Sequence, residues 1–222
     1  MQKFQNTKRP AILTVTGPPG AGKTSVAREL SRSSVGIKQV LSTTTRPPRQ
    51  SDLMGPTLEY RYVATERFDE YKENGWFVEA VVRDGYQYGI MEEDFSQLFS
   101  DGKTNTILAV VDRAGASKLW HHYGGSDRIT KVESALILPP DRASLVDRIV
   151  NRDGIPHVDA EARVLDESQD IIGDMCFYDY VVVNRDFRET VDAIKTIAAS
   201  LEFRQRIPSD ESVEIYNQLG AK

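Results

Sequence analysis

Residues 17–25, GPPGAGKTS, follow an apolar run at residues 11–16 and precede a helical pattern. The spacing of one glycine, four residues and then Gly22-Lys23-Thr24 predicts a loop whose backbone N–H groups surround the phosphates of a nucleoside triphosphate. In such a loop the lysine reaches the β- and γ-phosphates, and the threonine hydroxyl can bind Mg²⁺. The order of strand, loop and helix distinguishes this segment from an ordinary glycine-rich turn. We therefore predict ATP binding by the phosphate loop, which comprises Gly17, Pro18, Pro19, Gly20, Ala21, Gly22, Lys23, Thr24 and Ser25.

Short apolar runs bounded by turn residues alternate with amphipathic stretches along the chain. This pattern is typical of a parallel sheet covered by helices, and it predicts an α/β fold with a phosphate-loop core. The predicted central strands are residues 11–16, 40–42, 106–111, 132–138 and 178–183. The predicted helices are residues 23–32, 92–99, 113–122, 141–152, 159–175 and 187–204.

Two segments interrupt this alternation. Residues 59–63, 76–81 and 85–89 are short, aromatic and alternating, which predicts a small, largely antiparallel β insertion that forms one wall of a cleft. The second segment, at about residues 148–165, is predicted to be a mobile lid, because it consists of a helix, the turn at residues 153–156 and the start of a new helix. We expect one domain over residues 1–205, with its core at about 11–42 and 104–204 and its insertion at about 43–95, followed by a polar tail at 206–222.

Composition narrows the class of protein. The 222 residues carry a formal net charge of −5 and one cysteine, Cys176. Proteins that bind nucleic-acid backbones usually carry a basic surface, and a single cysteine excludes a disulfide framework. No apolar run approaches the roughly 20 residues of a membrane helix. We expect a cytoplasmic monomer or homodimer that binds neither nucleic acid nor membranes.

Two groups of arginines are candidates for phosphate binding. In residues 42–49, STTTRPPR, prolines stiffen a loop in which Arg46 and Arg49 can each bind an oxyanion through parallel N–H groups. Farther on, Arg148 and Arg152 are four residues apart and therefore lie on one helical face. Either group could instead consist of solvated charges. Phosphoryl transfer between two anions needs concentrated positive charge, and an acidic protein has to supply it from such groups.

These segments, in their order, resemble the guanylate kinase family, whose members transfer the γ-phosphoryl group of ATP to GMP. The resemblance extends over about residues 12–184. The family's SxTTRxPR segment supplies contacts to the acceptor phosphate, and Ser42, Arg46 and Arg49 match it. Tyr60 and Tyr88 match two tyrosines that the family uses for the same phosphate.

The resemblance also implies roles for residues on the base and on the lid. Glu79 matches the glutamate that reads N1 and N2 of guanine, and Asp112 matches an aspartate on the guanine side. Arg163 matches the arginine that follows the lid segment, and we assign catalytic roles to Lys23, Arg148, Arg152 and Arg163. Asn184 matches an asparagine near the adenine, and Mg²⁺ would accompany ATP.

The residues support the guanine assignment independently. N1 and N2 of guanine are hydrogen-bond donors, so a carboxylate is a suitable partner, and an unpaired buried donor would cost about 1–3 kcal/mol. The simpler interpretation of Glu79 is an outward-facing charge on a half-buried strand. For Asp112 it is the N-cap of the following helix, which does not exclude a ligand role.

Two positions depart from the family. Ile90 stands where the family carries a serine or threonine that contacts the base, and Val110 stands where it usually has a second aspartate. The first change removes one hydrogen bond to GMP, and the second removes a water-mediated contact to Mg²⁺.

Two alternative functions stay open: a kinase of the same build for another phosphorylated acceptor, and a non-catalytic interaction module. The intact phosphate loop argues against the module.

Overall fold

The computed structural model describes residues 9–49, 52, 59–124 and 130–201, and the side chains of all of these except 166–174. The predicted tail at 206–222 lies outside the described residues. The strands are β1 Ala11–Thr16, β2 Ile37–Gln39, β3 Ser42–Thr44, β4 Tyr60–Tyr62, β5 Phe77–Arg83, β6 Tyr86–Met91, β7 Thr106–Val110, β8 Val132–Leu138 and β9 Tyr180–Val183. The helices are α1 Lys23–Ser33, α2 Thr65–Glu73, α3 Glu92–Ser100, α4 Arg113–Tyr123, α5 Arg142–Asp153, α6 His157–Asp174, the 3-10 helix Met175–Phe177 and α7 Phe187–Leu201.

The phosphate loop follows the central strand of the larger sheet. This sheet is five-stranded and entirely parallel, in the order β2-β7-β1-β8-β9. All six residues of β1 are buried, as expected for a strand covered on both faces. Its side chains alternate, so that Leu13 packs with α1 and α7 while Ile12 packs with α3 and α4. The predicted α/β fold is confirmed.

Parallel strands bring distant segments of the chain to one edge of the sheet. β1 pairs with β7, and Val15 lies opposite Val110. The phosphate loop after β1 and Asp112 after β7 therefore emerge side by side at the carboxyl ends of their strands. In open α/β sheets this edge is where ligands bind.

The predicted insertion forms a second sheet, in the order β4-β3-β6-β5. Its β3–β6 and β5–β6 pairings are antiparallel, whereas β3 and β4 run parallel. The sheet is therefore mixed. Helix α2 packs against β5 of this sheet, and its Tyr71 stacks on Trp76 with ring centroids 5.3 Å apart.

The predicted strand at residues 40–42 is wrong. The core strand is β2, and the chain then leaves the core sheet through Val40, whose N–H donates to the Leu108 carbonyl at 3.0 Å. From Ser42 onward the chain belongs to the second sheet. β2 was missed because it is an edge strand of sequence IKQ, and edge strands need no continuous apolar run.

Three smaller differences concern helices and boundaries. Helix α2 was not predicted, because Phe68 is its one buried residue and its apolar periodicity is weak. α6 begins two residues earlier than predicted, at His157. β9 begins at Tyr180, since the preceding residues form a 3-10 helix and a turn.

The lid helices α5 and α6 pack against each other around a small apolar core of their own. That core consists of Leu145, Val146, Ile149, Ala160 and Val164. Because the two helices share this core, the predicted helical lid is one packed unit. No helix among the described residues is long and apolar enough to cross a membrane.

Candidate active site

The phosphate loop is held in a shape that only glycine allows at two points. Gly17 has a φ of 140°, and a Cβ there would lie 2.2 Å from the Ile137 carbonyl oxygen. Gly22 has a φ of 101°, and a Cβ there would lie 2.5 Å from Nδ2 of Asn184. Lys23 folds back over the loop, and its Nζ donates to the Gly17 and Pro18 carbonyls at 2.6 and 2.9 Å. The conformation thus preforms a cradle for an anion.

Asn184 lies behind this loop, not beside an open surface. Its side-chain amide donates to the Ala21 carbonyl at 2.7 Å, and its Oδ1 accepts a hydrogen bond from the Thr190 hydroxyl at 3.1 Å. Asn184 is 4% exposed. In this arrangement its side chain supports the phosphate loop, and the predicted contact with ATP would be indirect.

An open cleft with an empty volume of about 850 Å³ joins the phosphate loop to the second sheet and the lid. Many of the predicted site residues line it, although they come from separate parts of the chain. These are Pro19, Lys23, Thr24, Ser42, Arg49, Tyr60, Glu79, Tyr88, Asp112, Arg152 and Arg163. The predicted residues outside its described lining are Gly17, Pro18, Gly20, Ala21, Gly22, Ser25, Arg46, Arg148 and Asn184.

Tyr60 connects the two sides of the cleft. Its hydroxyl is hydrogen-bonded to Thr24 of the phosphate loop, and its ring meets that of Tyr88 edge-on with centroids 6.5 Å apart. Burial, only partly opposed by the charge of Arg46, raises the pKa of Tyr60. The hydroxyl is therefore protonated at neutral pH and can donate to an anion.

Glu79 and Asp112 place two carboxyl groups at one wall of the cleft. Glu79 is 4% exposed and packs so closely on α4 that a Cβ at Gly115 would lie 3.2 Å from its Cδ. Burial, followed by the charge of Asp112, raises the pKa of Glu79 to about 7, while Lys118 opposes the rise. Asp112 also caps α4, since its Oδ1 accepts a hydrogen bond from the Gly115 N–H at 2.8 Å. The capping role and a position in the cleft therefore occur together.

The wall beside these carboxyl groups is apolar. It includes Val81, Ile90, Val110 and Val111. Ile90 is 1% exposed and belongs to the core cluster around α3 and α4. A serine at this position would therefore lose packing as well as gain a hydroxyl.

Sequence reasoning missed the tip of the β5–β6 hairpin. Arg83 and Asp84 line the cleft there, and the Arg163 guanidinium forms an ion pair with Asp84. Asp84 has a φ of 51°, the left-handed conformation of a tight hairpin turn. The dipeptide Asp84-Gly85 between two alternating runs predicts a hairpin turn. It does not predict which other residues the turn contacts.

Two of the predicted arginines point away from the cleft. Arg46 is 6% exposed, donates to Oδ2 of Asp52 at 2.8 Å and lies over the Tyr60 ring. Arg148 donates to the carbonyls of Gly20 and Asn184, both at 3.4 Å. These two arginines brace the walls of the cleft, whereas Arg49, Arg152 and Arg163 face into it.

The described residues contain no group of three or more histidine, cysteine, aspartate or glutamate side chains arranged to hold a metal. A divalent ion in this cleft would depend on Thr24, on water and on oxygens of a bound phosphate. That is the usual way in which Mg²⁺ is held beside a nucleotide, so the Thr24 hydroxyl in the cleft fits such an ion.

Comparison with known proteins gives a consistent result. A family model described as guanylate kinase matches residues 7–201. The guanylate kinase of Symbiobacterium thermophilum is 30% identical over 192 residues, which cover 86% of this chain and 86% of that protein. The guanylate kinase of Wolbachia pipientis wMel is 33% identical over 187 residues, covering 84% of this chain and 88% of that protein. A crystal structure of guanylate kinase from Anaplasma phagocytophilum matches with a TM-score of 0.63 and 25% identity, covering 89% of this chain and 88% of that one.

Proposed function

The chain belongs to the guanylate kinase family, and we propose that it transfers the γ-phosphoryl group of ATP to GMP or dGMP, forming ADP and GDP or dGDP. One observation carries this proposal. A single cleft contains both the phosphate-loop residues Lys23 and Thr24 and the buried carboxyl groups of Glu79 and Asp112. A donor triphosphate and an acceptor base could therefore occupy it together.

The carboxyl groups select the acceptor base. An ionised Glu79 accepts hydrogen bonds from N1–H and the exocyclic amine of guanine, with Asp112 beside it. Adenine has no donor at N1 and no amine at C2, so it would leave a buried carboxylate unpaired. Each missing hydrogen bond of this kind costs about 1–3 kcal/mol.

The acceptor phosphate would bind to Ser42, Arg49, Tyr60 and Tyr88, which all line the cleft. Arg49 supplies positive charge, while the hydroxyl groups supply neutral donors. Arg46 lies behind Tyr60 and stabilises the loop that presents these groups.

The donor triphosphate would bind to the backbone N–H groups of the phosphate loop and to Lys23. For Lys23 to reach a bound phosphate, its Nζ would exchange the Gly17 and Pro18 carbonyls for phosphate oxygens. Thr24 would hold Mg²⁺, which neutralises charge on the β- and γ-phosphates when it is bound with ATP. Val110 contributes no carboxylate there.

Chemistry then requires alignment and charge stabilisation. The nucleophile is a phosphate oxygen of the acceptor, which is already ionised near neutral pH, so no general base is needed. Lys23, Arg152 and Arg163 would stabilise the charge on the transferring group, and Arg148 would hold α5 against the loop. No covalent intermediate with the protein is required.

The decisive experiment is a coupled assay of ADP release with MgATP and a panel of GMP, dGMP, AMP, CMP and UMP. We expect turnover with GMP and dGMP. The kcat/KM for AMP should be lower than that for GMP by a factor of about 10² or more. Turnover of a different phosphorylated acceptor would support the alternative kinase. If ATP binds and no nucleotide is turned over, the proposed reaction is wrong.

The same assay on residues 1–205 would test whether the predicted domain is sufficient.

A further inference from the structure

Asp153, the last residue of α5, lies among three arginines. The Arg152 guanidinium donates to both of its oxygens, from Nε at 2.8 Å and from Nη2 at 2.6 Å. Arg163 donates from Nη1 to Oδ2 at 3.2 Å, and Nη2 of Arg49 lies 3.3 Å from Oδ1. One carboxylate therefore joins the loop after β3, the end of α5 and the middle of α6.

The arginines and the carboxylate occupy different positions relative to the cleft. Arg49, Arg152 and Arg163 all belong to the described lining, whereas Asp153 does not. The Asp153 side chain is 11% exposed. It is therefore a largely buried partner of the three arginines, outside the described lining of the cleft.

Gathering three guanidinium groups needs a compensating charge. Burial, and then repulsion from Arg152 and Arg46, lowers the pKa of Arg49. For Asp153, burial alone would raise the pKa, but hydrogen bonding and attraction from Arg152, with the charges of Arg49 and Arg163, hold it below its usual value. The carboxylate is therefore ionised at neutral pH and offsets repulsion within the cluster.

We propose that Asp153 is a positioning residue, which holds Arg49 on the acceptor side and Arg152 and Arg163 on the lid in one cluster that faces the nucleotide phosphates. This inference rests on the proposed phosphoryl transfer. Long arginine side chains lose rotamer freedom when they bind an anion, and a carboxylate that fixes them beforehand removes part of that loss. Asp84 differs, since it lines the cleft itself and would compete with phosphate for Arg163.

Electrostatics and positioning predict opposite effects of removing this charge. If Asp153 acted only as a negative charge near the site, Asp153→Asn would strengthen the binding of anions. If it positions the arginines, the same change lets them disperse into solvent and weakens anion binding. Inorganic tripolyphosphate is a suitable probe, because its binding depends on the phosphate loop and the arginines but not on the base site.

The test compares wild type with Asp153→Asn, Asp153→Glu and the control Glu161→Gln. Glu161 lies on the same lid, pairs with His157 at 3.8 Å and is 47% exposed, so the control removes an equal charge outside the cluster. We expect Asp153→Asn to bind tripolyphosphate about 10-fold more weakly in calorimetry. We also expect it to lower kcat with MgATP and GMP by about 10²-fold, the effect of misplacing groups by about 1 Å.

Asp153→Glu should recover most of both losses, and Glu161→Gln should match wild type. A double-mutant cycle combines Asp153→Asn with Arg49→Lys. If Asp153 positions Arg49, the losses in kcat of the two single variants should be far from additive in the double variant, which a loss of folding would not imitate. Tighter tripolyphosphate binding by Asp153→Asn, or additive losses, would overturn the positioning role. Wild-type turnover of GMP tests the proposed reaction separately, because the tripolyphosphate comparison holds whether or not GMP is the acceptor.

Discussion

At the scale of single residues, Glu79 is a side chain of the proposed site whose ionisation is altered by burial. A carboxyl group 4% exposed beside a second carboxylate resists ionisation, which is why its pKa rises to about 7. Guanine donors need the ionised form. Binding of the acceptor should therefore depend on pH in the range where the protein operates.

We predict that kcat/KM for GMP increases between about pH 6 and pH 8, with an apparent pKa near 7. The GMP phosphate also titrates, near pH 6, so the profile of wild type alone would not isolate the carboxyl group. Glu79→Gln is the matched control. If its profile retains a transition near pH 7, that transition does not belong to Glu79.

The same raised pKa has a consequence for stability, with a definite sign. Between the unfolded pKa of about 4.3 and the folded value near 7, the native state binds more protons, so this group's stabilising contribution is lost as the pH rises. Glu79→Gln should therefore increase the free energy of unfolding at pH 8 by up to about 3 kcal/mol, with a smaller gain near pH 5. Denaturant unfolding at the two pH values measures this difference, and an equal gain at both would contradict it.

Lys23 should matter for rate far more than for folding. In the proposed reaction its ammonium group would neutralise charge that develops in the transition state, and Lys23→Met keeps the apolar stem while removing the positive charge. We expect kcat to fall by about 10²-fold or more, with thermal unfolding little changed. A folded Lys23→Met protein with wild-type kcat would rule out this role.

At the scale of elements, the end of β9 supports the loop after β1. Asn184→Ala removes the hydrogen bonds to Ala21 and Thr190 and leaves the phosphate loop without its support. We expect KM for ATP to rise by about 10-fold while KM for GMP changes little, since buried hydrogen bonds of this kind contribute about 0.5–1.5 kcal/mol each. Thr190→Val removes one of the two bonds to Asn184, together with the hydrogen bond from the Thr190 hydroxyl to the Asp186 carbonyl, and should have a smaller effect on KM for ATP. Equal effects on both substrates would show that Asn184 acts on the whole fold.

The elements themselves were predictable wherever local chemistry determines them. β1, β7 and β8 are mainly apolar runs, and the spacing from Gly17 to Thr24 identifies the loop between β1 and α1. β2 and α2 were not predictable, because an edge strand and a helix with one buried residue carry weak periodicity. Their positions depend on pairing with β7 and packing on β5, which are tertiary contacts.

The same limit applies to the candidate site. Motif spacing identified Arg46 and Arg148, but it could not show that Asp52 and the backbone of the phosphate loop engage them. Asp153 follows Arg152 in sequence, yet its contact with Arg49 depends on how the lid meets the insertion. The chemistry that each residue could supply was predictable from the sequence, whereas the direction in which its side chain points was not.

At the scale of the whole molecule, an ion pair joins the core to the insertion. Arg28 on α1 pairs with Glu59 next to β4, and its Nη2 lies 3.0 Å from Oε2. Hydrogen bonding to Glu59 raises the pKa of Arg28 despite its partial burial. The Glu59 side chain is 6% exposed, and Arg28 provides the ion pair that compensates its charge among the described residues.

We predict that Arg28→Met lowers the free energy of unfolding by about 2 kcal/mol. Removing one partner of a fully buried pair costs about 3–5 kcal/mol, and Arg28 is 29% exposed, so solvent would compensate in part. The double variant Arg28→Met/Glu59→Gln should recover much of the loss, because no buried charge is left unpaired. Denaturant unfolding of Arg28→Met, Glu59→Gln and the double variant measures the coupling, and additive losses would contradict it.

The stack of Trp76 on Tyr71 has an optical consequence. The chain contains two tryptophans, Trp76 on the insertion and Trp120 on α4 of the core, and the described lining of the cleft includes neither. A nucleotide would therefore alter tryptophan emission only through a change in the protein around the indole rings. With Trp120 replaced by phenylalanine, Trp76 would be the sole tryptophan, 47% exposed and quenchable by acrylamide or iodide. The insertion thus carries an intrinsic fluorophore with which its movement can be followed in stopped flow without an attached dye.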